Sequence, residues 1–476
     1  MLSRTENTVN SATTVREERA PTLTRQLGLF DSIMMMVGIV IGSGIFLTTG
    51  IMAQSIPSAP LILLAWLAGG ILTLTGALTF AELGAAMPEA GGQYVYLREA
   101  YGNLAAFLFG WLLFLVAMGG SIAALGMGFA EYVGHFFPGL STGRNLISFD
   151  LAPFEVELRY SLSAGQLVAV AVILVLSTCN YLGVVLGKLI QNSLTLVKLA
   201  VIVGFIILGL ASGRVAPVEY AVNPSAMSFG SLLVGFGVAI VAVSWAFDGW
   251  NNITYVAGEI KDPRRNIPLA LVGGTLAITT LYMLVNLVYL RALSPGDMAG
   301  VVRIAEQAST VMFGQTGAGL VSAAVIVSTF GALNGAIFVG PRVYYAMARD
   351  GVFFQKVGEV HPRFRTPAFA IGVQAVWAAA LTLTGTYEQL FTYVIFVTLI
   401  FWMVGTAAVF VLRKRRPDLP RPYETWGYPL VPLIFIVATL VILLNTLFAR
   451  PVESLAGLGI TALGVPVYLY WRRRAP

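Results

Sequence analysis

Residues 38–46 read Gly-Ile-Val-Ile-Gly-Ser-Gly-Ile-Phe, and residues 244–252 read Ser-Trp-Ala-Phe-Asp-Gly-Trp-Asn-Asn. Each stretch lies inside a long apolar segment. Gly38, Gly42 and Gly44 fall within seven residues, and each weakens a helix by about 1 kcal/mol relative to alanine. The second stretch sets a carboxylate, Asp248, beside a glycine and two amides, groups that are costly in hydrocarbon unless they face a cavity or a partner. Close packing of helices through small residues explains the glycines equally well when they are taken alone. Asp248 makes packing a poor account of the second stretch, which predicts a helix that unwinds near the bilayer centre.

The surrounding composition supplies the bilayer. Of 476 residues 57% are hydrophobic and 11% charged, against roughly 45–50% and about 25% in soluble domains. With a mean hydropathy of +0.81, the chain has more apolar surface than a soluble fold of its size can hide. Counting apolar runs of roughly 17 or more residues predicts an all-α integral membrane protein with twelve spans. They lie near 30–53, 60–86, 101–136, 163–182, 187–211, 229–257, 267–291, 308–347, 368–385, 388–412, 428–449 and 454–472.

Charge then orients the spans. With the N-terminus inside, 22 of the 29 basic residues fall in inner segments and 6 in outer ones, which places both termini in the cytoplasm. Residues 1–26 are polar, lack the apolar core of a signal peptide and read as a disordered cytoplasmic tail. Cys179 is the sole cysteine, and His135 and His361 are the only histidines. An internal disulfide, a cysteine-rich or histidine-rich metal site and the usual catalytic constellations are thereby excluded, and no cofactor or nucleic-acid partner is expected.

The two interrupted spans are the first and the sixth. Five is odd, so a second block of five helices runs through the membrane in the opposite sense to the first. An inverted repeat with a broken helix at the start of each half points to a transporter substrate site near the midplane. Unwinding frees N–H groups at a positive helix end, suited to a carboxylate, and carbonyls suited to an ammonium. A zwitterion matches both. The expected units are the tail 1–26, repeats at 27–212 and 213–413, and 414–476 with two extra helices.

Gly42-Ser43-Gly44-Ile45-Phe46, Ala81-Glu82-Leu83 with Pro88, Gly91-Gly92-Gln93-Tyr94-Val95-Tyr96, Gly249-Trp250-Asn251-Asn252 and the run from Gly258 to Pro268 together resemble the amino acid/polyamine/organocation superfamily, within it the L-type amino-acid transporter branch and its prokaryotic relatives. The resemblance covers roughly residues 26–412. It implies a five-plus-five inverted-repeat fold of the LeuT type, alternating access and sodium-independent exchange of neutral L-amino acids. Proton-coupled symport and antiport of cationic amino acids or polyamines are the alternatives. By the same resemblance, the substrate segment is Val40, Ile41, Gly42, Ser43 and Gly44 with Trp245, Ala246, Phe247 and Asp248. The Ser43 and Gly44 amides and the Ser43 hydroxyl would take the carboxylate. Carbonyls of Val40, Trp245, Ala246 and Phe247 would take the amino group, and Trp245 would close over the substrate. The branch members that bind a heavy chain do so through a cysteine between the third and fourth spans. Residues 137–162 contain none, so no disulfide-linked subunit is expected, and the chain reads as a prokaryotic plasma-membrane protein whose partners are the amino acid and the lipid bilayer.

Three charges remain. Lys198 lies ten residues from Lys188, about 15 Å deeper along a helix, and must find oxygen partners inside the bundle. The resemblance puts it where sodium-coupled relatives hold a cation, near Ser328 and Thr329, as a sodium substitute or a proton-coupling group. Asp248 has three readings: a substrate salt bridge, an internal partner, or a cap for the second half of its helix. Glu82 reads as a gate or packing partner for loop arginines, as does Glu131, and small residues near Gly119, Gly120 and Gly331 as possible pocket walls.

Overall fold

The computed structural model describes residues 23–151, 158–212, 228–384 and 387–474. The expected tail falls outside them except for its last few residues, as does most of the junction between the two expected repeats.

The first apolar segment forms two helices, α1 (Leu29–Val40) and α2 (Gly44–Ser55), with residues 41–43 non-helical between them. Then come α3 (Ala59–Ala86), α4 (Gln93–Tyr101) and α5 (Asn103–Leu112), which continues through a π-turn (Leu113–Met118) into α6 (Gly119–Phe136). Pro60 sits in the first turn of α3, where its missing N–H is harmless. Strands β1 (Asn145–Leu151) and β2 (Leu158–Ser163) pair antiparallel ahead of α7 (Ala164–Tyr181), which opens on a Ser163–Gln166 capping box. This hairpin is a short addition between helices of an otherwise all-helical fold. A loop of that length seldom stays without structure of its own.

The second half runs α8 (Val184–Ala211), α9 (Phe229–Ala246), a 3-10 helix (Asn252–Glu259), α10 (Pro263–Ala292), the short α11 (Pro295–Met298) and α12 (Ile304–Arg349). It closes with α13 (Ala368–Thr382), α14 (Tyr387–Arg415), α15 (Leu430–Ala449) and α16 (Pro451–Arg474). The sixth expected span, 229–257 with a break within 244–252, has its α-helix end at Ala246, and the helix beyond the break is 3-10 rather than α. Gly249 makes the turn with φ +90°, and a Cβ there would come within 2.5 Å of Ile39 Cγ2. Glycine satisfies both demands.

Among the described residues, ten helical segments are long and apolar enough to cross a bilayer, and Gly230–Ala246 and Ala368–Thr382 are shorter apolar helices. The chain is a multi-pass membrane protein. Its core is built around the broken elements: α1 packs against α8, α10 and α12, α2 packs against α9, and α3 lies along α10. Trp66, Phe247 and Tyr282 form one aromatic cluster beside the breaks, and Trp250 meets Phe80 and Trp402 in another. Such contacts add about 0.5–1.5 kcal/mol each beyond their buried area.

Candidate functional site

The two breaks face each other. Gly44, first residue of α2, approaches Ala246, last residue of α9, so closely that a Cβ on Gly44 would lie 2.6 Å from the Ala246 Cα. Around this contact lies a small cavity. Ile39, Val40, Gly42, Ser43 and Gly44 line it from the first break, and Trp245, Asp248 and Asn252 from the second. Met118, Ser121, Leu125 and Ala336 complete the wall. Its volume of about 20 Å³ suits a water molecule, so a larger solute enters only when the bundle opens.

The main-chain groups exposed by unwinding are distributed in an ordered way. Gly44 and Ile45 begin α2, so their amides have no intrahelical acceptor and sit at the positive end of the helix. Ser43 is fully buried beside them. On the carbonyl side, Lys198 in α8 donates from Nζ to Gly38 O (2.8 Å), Ile41 O (2.5 Å) and Ser328 O (2.9 Å). The Ser328 hydroxyl donates to Ile41 O at 3.1 Å. One ammonium therefore ties the first break to α12, with all three of its protons directed at oxygens.

Tyr282 in α10 does the equivalent for both breaks at once. Its hydroxyl lies 3.0 Å from Val40 O and 2.9 Å from Ala246 O. A phenol has one proton to give, so these two carbonyls share a single donor. The Trp245 carbonyl accepts from the Asp248 amide and that of Phe247 from the Trp250 amide. Asp248 lines the cavity and accepts a hydrogen bond from Ser121 of α6 at 3.0 Å. The 3-10 helix has Asn251 at its N-cap and no side-chain cap bond, which removes the capping reading of Asp248.

Other expected residues fall elsewhere. Thr329 turns its hydroxyl back onto Val325 O and Ile326 O of its own helix and does not reach Lys198. Ile41 is buried and enters through its carbonyl. Phe247 packs on Trp66 and Tyr282. Gly119 faces Trp377, and Gly331 faces Leu194 and Lys198; the cavity wall is Met118 and Ser121 instead. Glu82 accepts from Nε and Nη2 of Arg413 (2.9 and 2.7 Å) and from the Thr425 amide and hydroxyl, holding the C-terminal end of α3 to the end of α14 and the segment after it. Glu131 accepts from Thr142 and lies 3.8 Å from Arg303.

Two features carry no signal in the sequence. One is Tyr282, indistinguishable there from a packed aromatic. The other is the buried pair of Arg342 in α12 and Glu259 at the end of the 3-10 helix, with Nε to Oε1 at 2.7 Å and both side chains 1% exposed. The Glu259 carbonyl also accepts from the Gln26 and Leu27 amides (2.8 and 2.9 Å). The segment entering α1 is thus pinned to the segment leaving the second break. At the same end of the bundle, Asp350 accepts from Arg98 (2.8 and 3.0 Å) and Tyr94 (2.9 Å). Burial lowers the Arg98 pKa, but bonds to Asp350 and its charge raise it more, and burial with the same carboxylate raises Tyr94. Both donors stay protonated at physiological pH.

Residues 27–467 match the family model described as amino acid permease. The chain is 33% identical over 455 residues to the serine/threonine exchanger SteT of Bacillus subtilis, covering 95% of this chain and 98% of that protein. It is 31% identical over 443 residues to the b(0,+)-type amino acid transporter 1 of Mus musculus, covering 91% and 85%. With the large neutral amino acids transporter small subunit 2 of Homo sapiens it shares 30% over 463 residues, covering 95% and 82%. The chain belongs to the amino acid permease family, within the amino acid/polyamine/organocation superfamily of amino-acid transporters.

Proposed function

We propose that the protein is a sodium-independent exchanger of neutral L-amino acids that works by alternating access across a prokaryotic plasma membrane. The observation that carries this reading is the meeting of the Ser43–Gly44 helix start with Val40 at one cavity, the Val40 carbonyl sharing the Tyr282 hydroxyl with the Ala246 carbonyl of the second break. The helix start suits a carboxylate and the carbonyls an ammonium, so the shared backbone portion of any L-amino acid is recognised there. In this account Ser43, with Gly42 and Gly44, takes the carboxylate. Val40, Ile41, Trp245, Ala246 and Phe247 supply the main-chain frame, and Trp245 covers the ligand. Lys198 with Ser328 occupies the place a coupling cation would need, which argues for sodium independence.

Ten long spans and two shorter apolar helices support twelve crossings, arranged as repeats at 27–212 and 213–413 followed by two further helices at 414–476. The distribution of basic residues supports cytoplasmic termini. A serine/threonine exchanger and two broader amino-acid transporters among the relatives support neutral substrates.

A second reading has a specific basis: Asp248 lines the cavity, so a cationic side chain or polyamine has a counter-ion there. The test is uptake of labelled amino acids into proteoliposomes, empty or preloaded, without sodium and with or without a proton gradient. Neutral uptake confined to preloaded vesicles supports exchange. Gradient-driven accumulation in empty vesicles transfers the coupling role to Lys198 and overturns exchange. Cationic uptake abolished by Asp248→Asn favours the second reading.

A further inference from the structure

One side of the bundle carries a second, larger groove of about 780 Å³ between the end of α7, the loop before α13, and α13 itself. It has the volume of a ligand site. Phe369, Gly372, Val376 and Ala380 form an exposed stripe of α13 along it, at three- and four-residue spacing on one helix face. Val376 is 70% exposed. In a membrane protein such a stripe faces lipid. Phe114 and Trp377 form the back wall.

The rim at one end is polar. His361 lines it, and its Nδ1 accepts from the Arg363 and Phe364 amides (both 3.2 Å), which fixes the loop. Arg363 and Arg365 on this loop are exposed and form no ion pair among the described residues; Glu359 is the carboxylate on the same rim. This is the end of the bundle that also carries Arg98–Asp350 and the Glu259–Arg342 pair.

We propose that this groove binds an anionic phospholipid of the surrounding bilayer, with an acyl chain along α13 and its phosphate at the Arg363–Arg365 loop. The apolar groove, with Arg363 one residue and Arg365 three residues beyond Pro362 of its lining, matches the two parts of such a lipid. The groove also adjoins the transport site. Trp377 Nε1 donates to Leu115 O at 2.9 Å, inside the π-turn of residues 113–118. That turn ends at Met118, a wall of the cavity, and Ser121 three residues on holds Asp248. π-turns of this kind recur at functional positions, and here one lies between lipid groove and cavity.

The test uses the full purified chain and native mass spectrometry after incubation with dioleoyl phosphatidylglycerol or dioleoyl phosphatidylcholine. Phosphatidylglycerol should be retained in preference. A Cβ on Gly372 meets nothing within 4 Å, so Gly372→Trp should fill the groove and abolish retention. Arg363→Gln and Arg365→Gln lie on an exposed loop and should each cut the phosphatidylglycerol preference about fivefold. Equal retention of the two lipids by the wild type, or undiminished retention by a folded Gly372→Trp, would overturn the proposal. If Gly372→Trp does not fold, an unchanged preference in the arginine variants overturns it. A dimer dispersed by Gly372→Trp with no lipid retained would assign the groove to a second copy instead. The readout requires no transport, so its failure leaves the exchange reading untouched.

Discussion

The Lys198 ammonium lies 2.8 Å from the carbonyl oxygen of Gly38, the residue at which the first helix starts to lose its regular bonding. With Ile41 O and Ser328 O as its other acceptors, this side chain satisfies main-chain oxygens of three buried residues. Lys198→Met removes all three donors; Ile41 O keeps the Ser328 hydroxyl, whereas Gly38 O loses its Lys198 donor, at a cost of about 1–3 kcal/mol for a buried acceptor left unpaired. Exchange in proteoliposomes should fall by about tenfold or more, with a lowered melting temperature. Wild-type exchange in a folded Lys198→Met protein would show that the contact is dispensable.

Tyr282→Phe keeps the ring against Trp66 and Phe247 and removes only the hydroxyl shared by Val40 O and Ala246 O. Stability should drop by about 1 kcal/mol, while the apparent affinity for substrate changes more than expression does. Radioligand binding beside thermal unfolding separates the two effects.

The two glycines of the first break should differ in tolerance. A methyl on Gly44 meets the Ala246 backbone at 2.6 Å, whereas one on Gly42 meets the movable Leu125 Cδ2 at 2.9 Å. Overpacking costs about 1–3 kcal/mol, so Gly44→Ala should lose substrate binding where Gly42→Ala retains a measurable part of it. Binding assays on matched amounts of folded protein decide the order.

Arg342→Met leaves Glu259 buried without its partner and should destabilise the protein by about 3–5 kcal/mol. Adding Glu259→Leu should recover most of that loss, because the apolar pair no longer buries a lone charge. Transport should stay impaired in the double variant if the pair also anchors the segment before α1 through the Glu259 carbonyl. Melting curves and exchange rates on both proteins test this.

Much of this architecture is legible in the sequence. Hydropathy and glycine spacing locate the breaks because unwinding in hydrocarbon demands unusual residues, and Gly38, Gly42, Gly44 and Gly249 are such residues. Lys198 stands out because a charge at that depth has no solvent to turn to. Tyr282 and Arg342 do not. A tyrosine in an apolar helix resembles packing, and Arg342 lies near a helix end where arginines ordinarily meet water. Their partners, at residues 40, 246 and 259, are far away in sequence. The 3-10 geometry after Asn251 is equally hidden, because composition there suits either kind of helix.

The central claim is that the breaks read the zwitterionic backbone of an amino acid. Competition against a labelled neutral L-amino acid, bound to the purified protein, tests it with three ligands: the free amino acid, its methyl ester and its N-acetyl derivative. The ester lacks the carboxylate for the Ser43–Gly44 helix start, and the amide lacks the ammonium for the carbonyls. The free amino acid should displace the label and either derivative should displace little of it. Equal displacement by the ester or the N-acetyl form would contradict the claim.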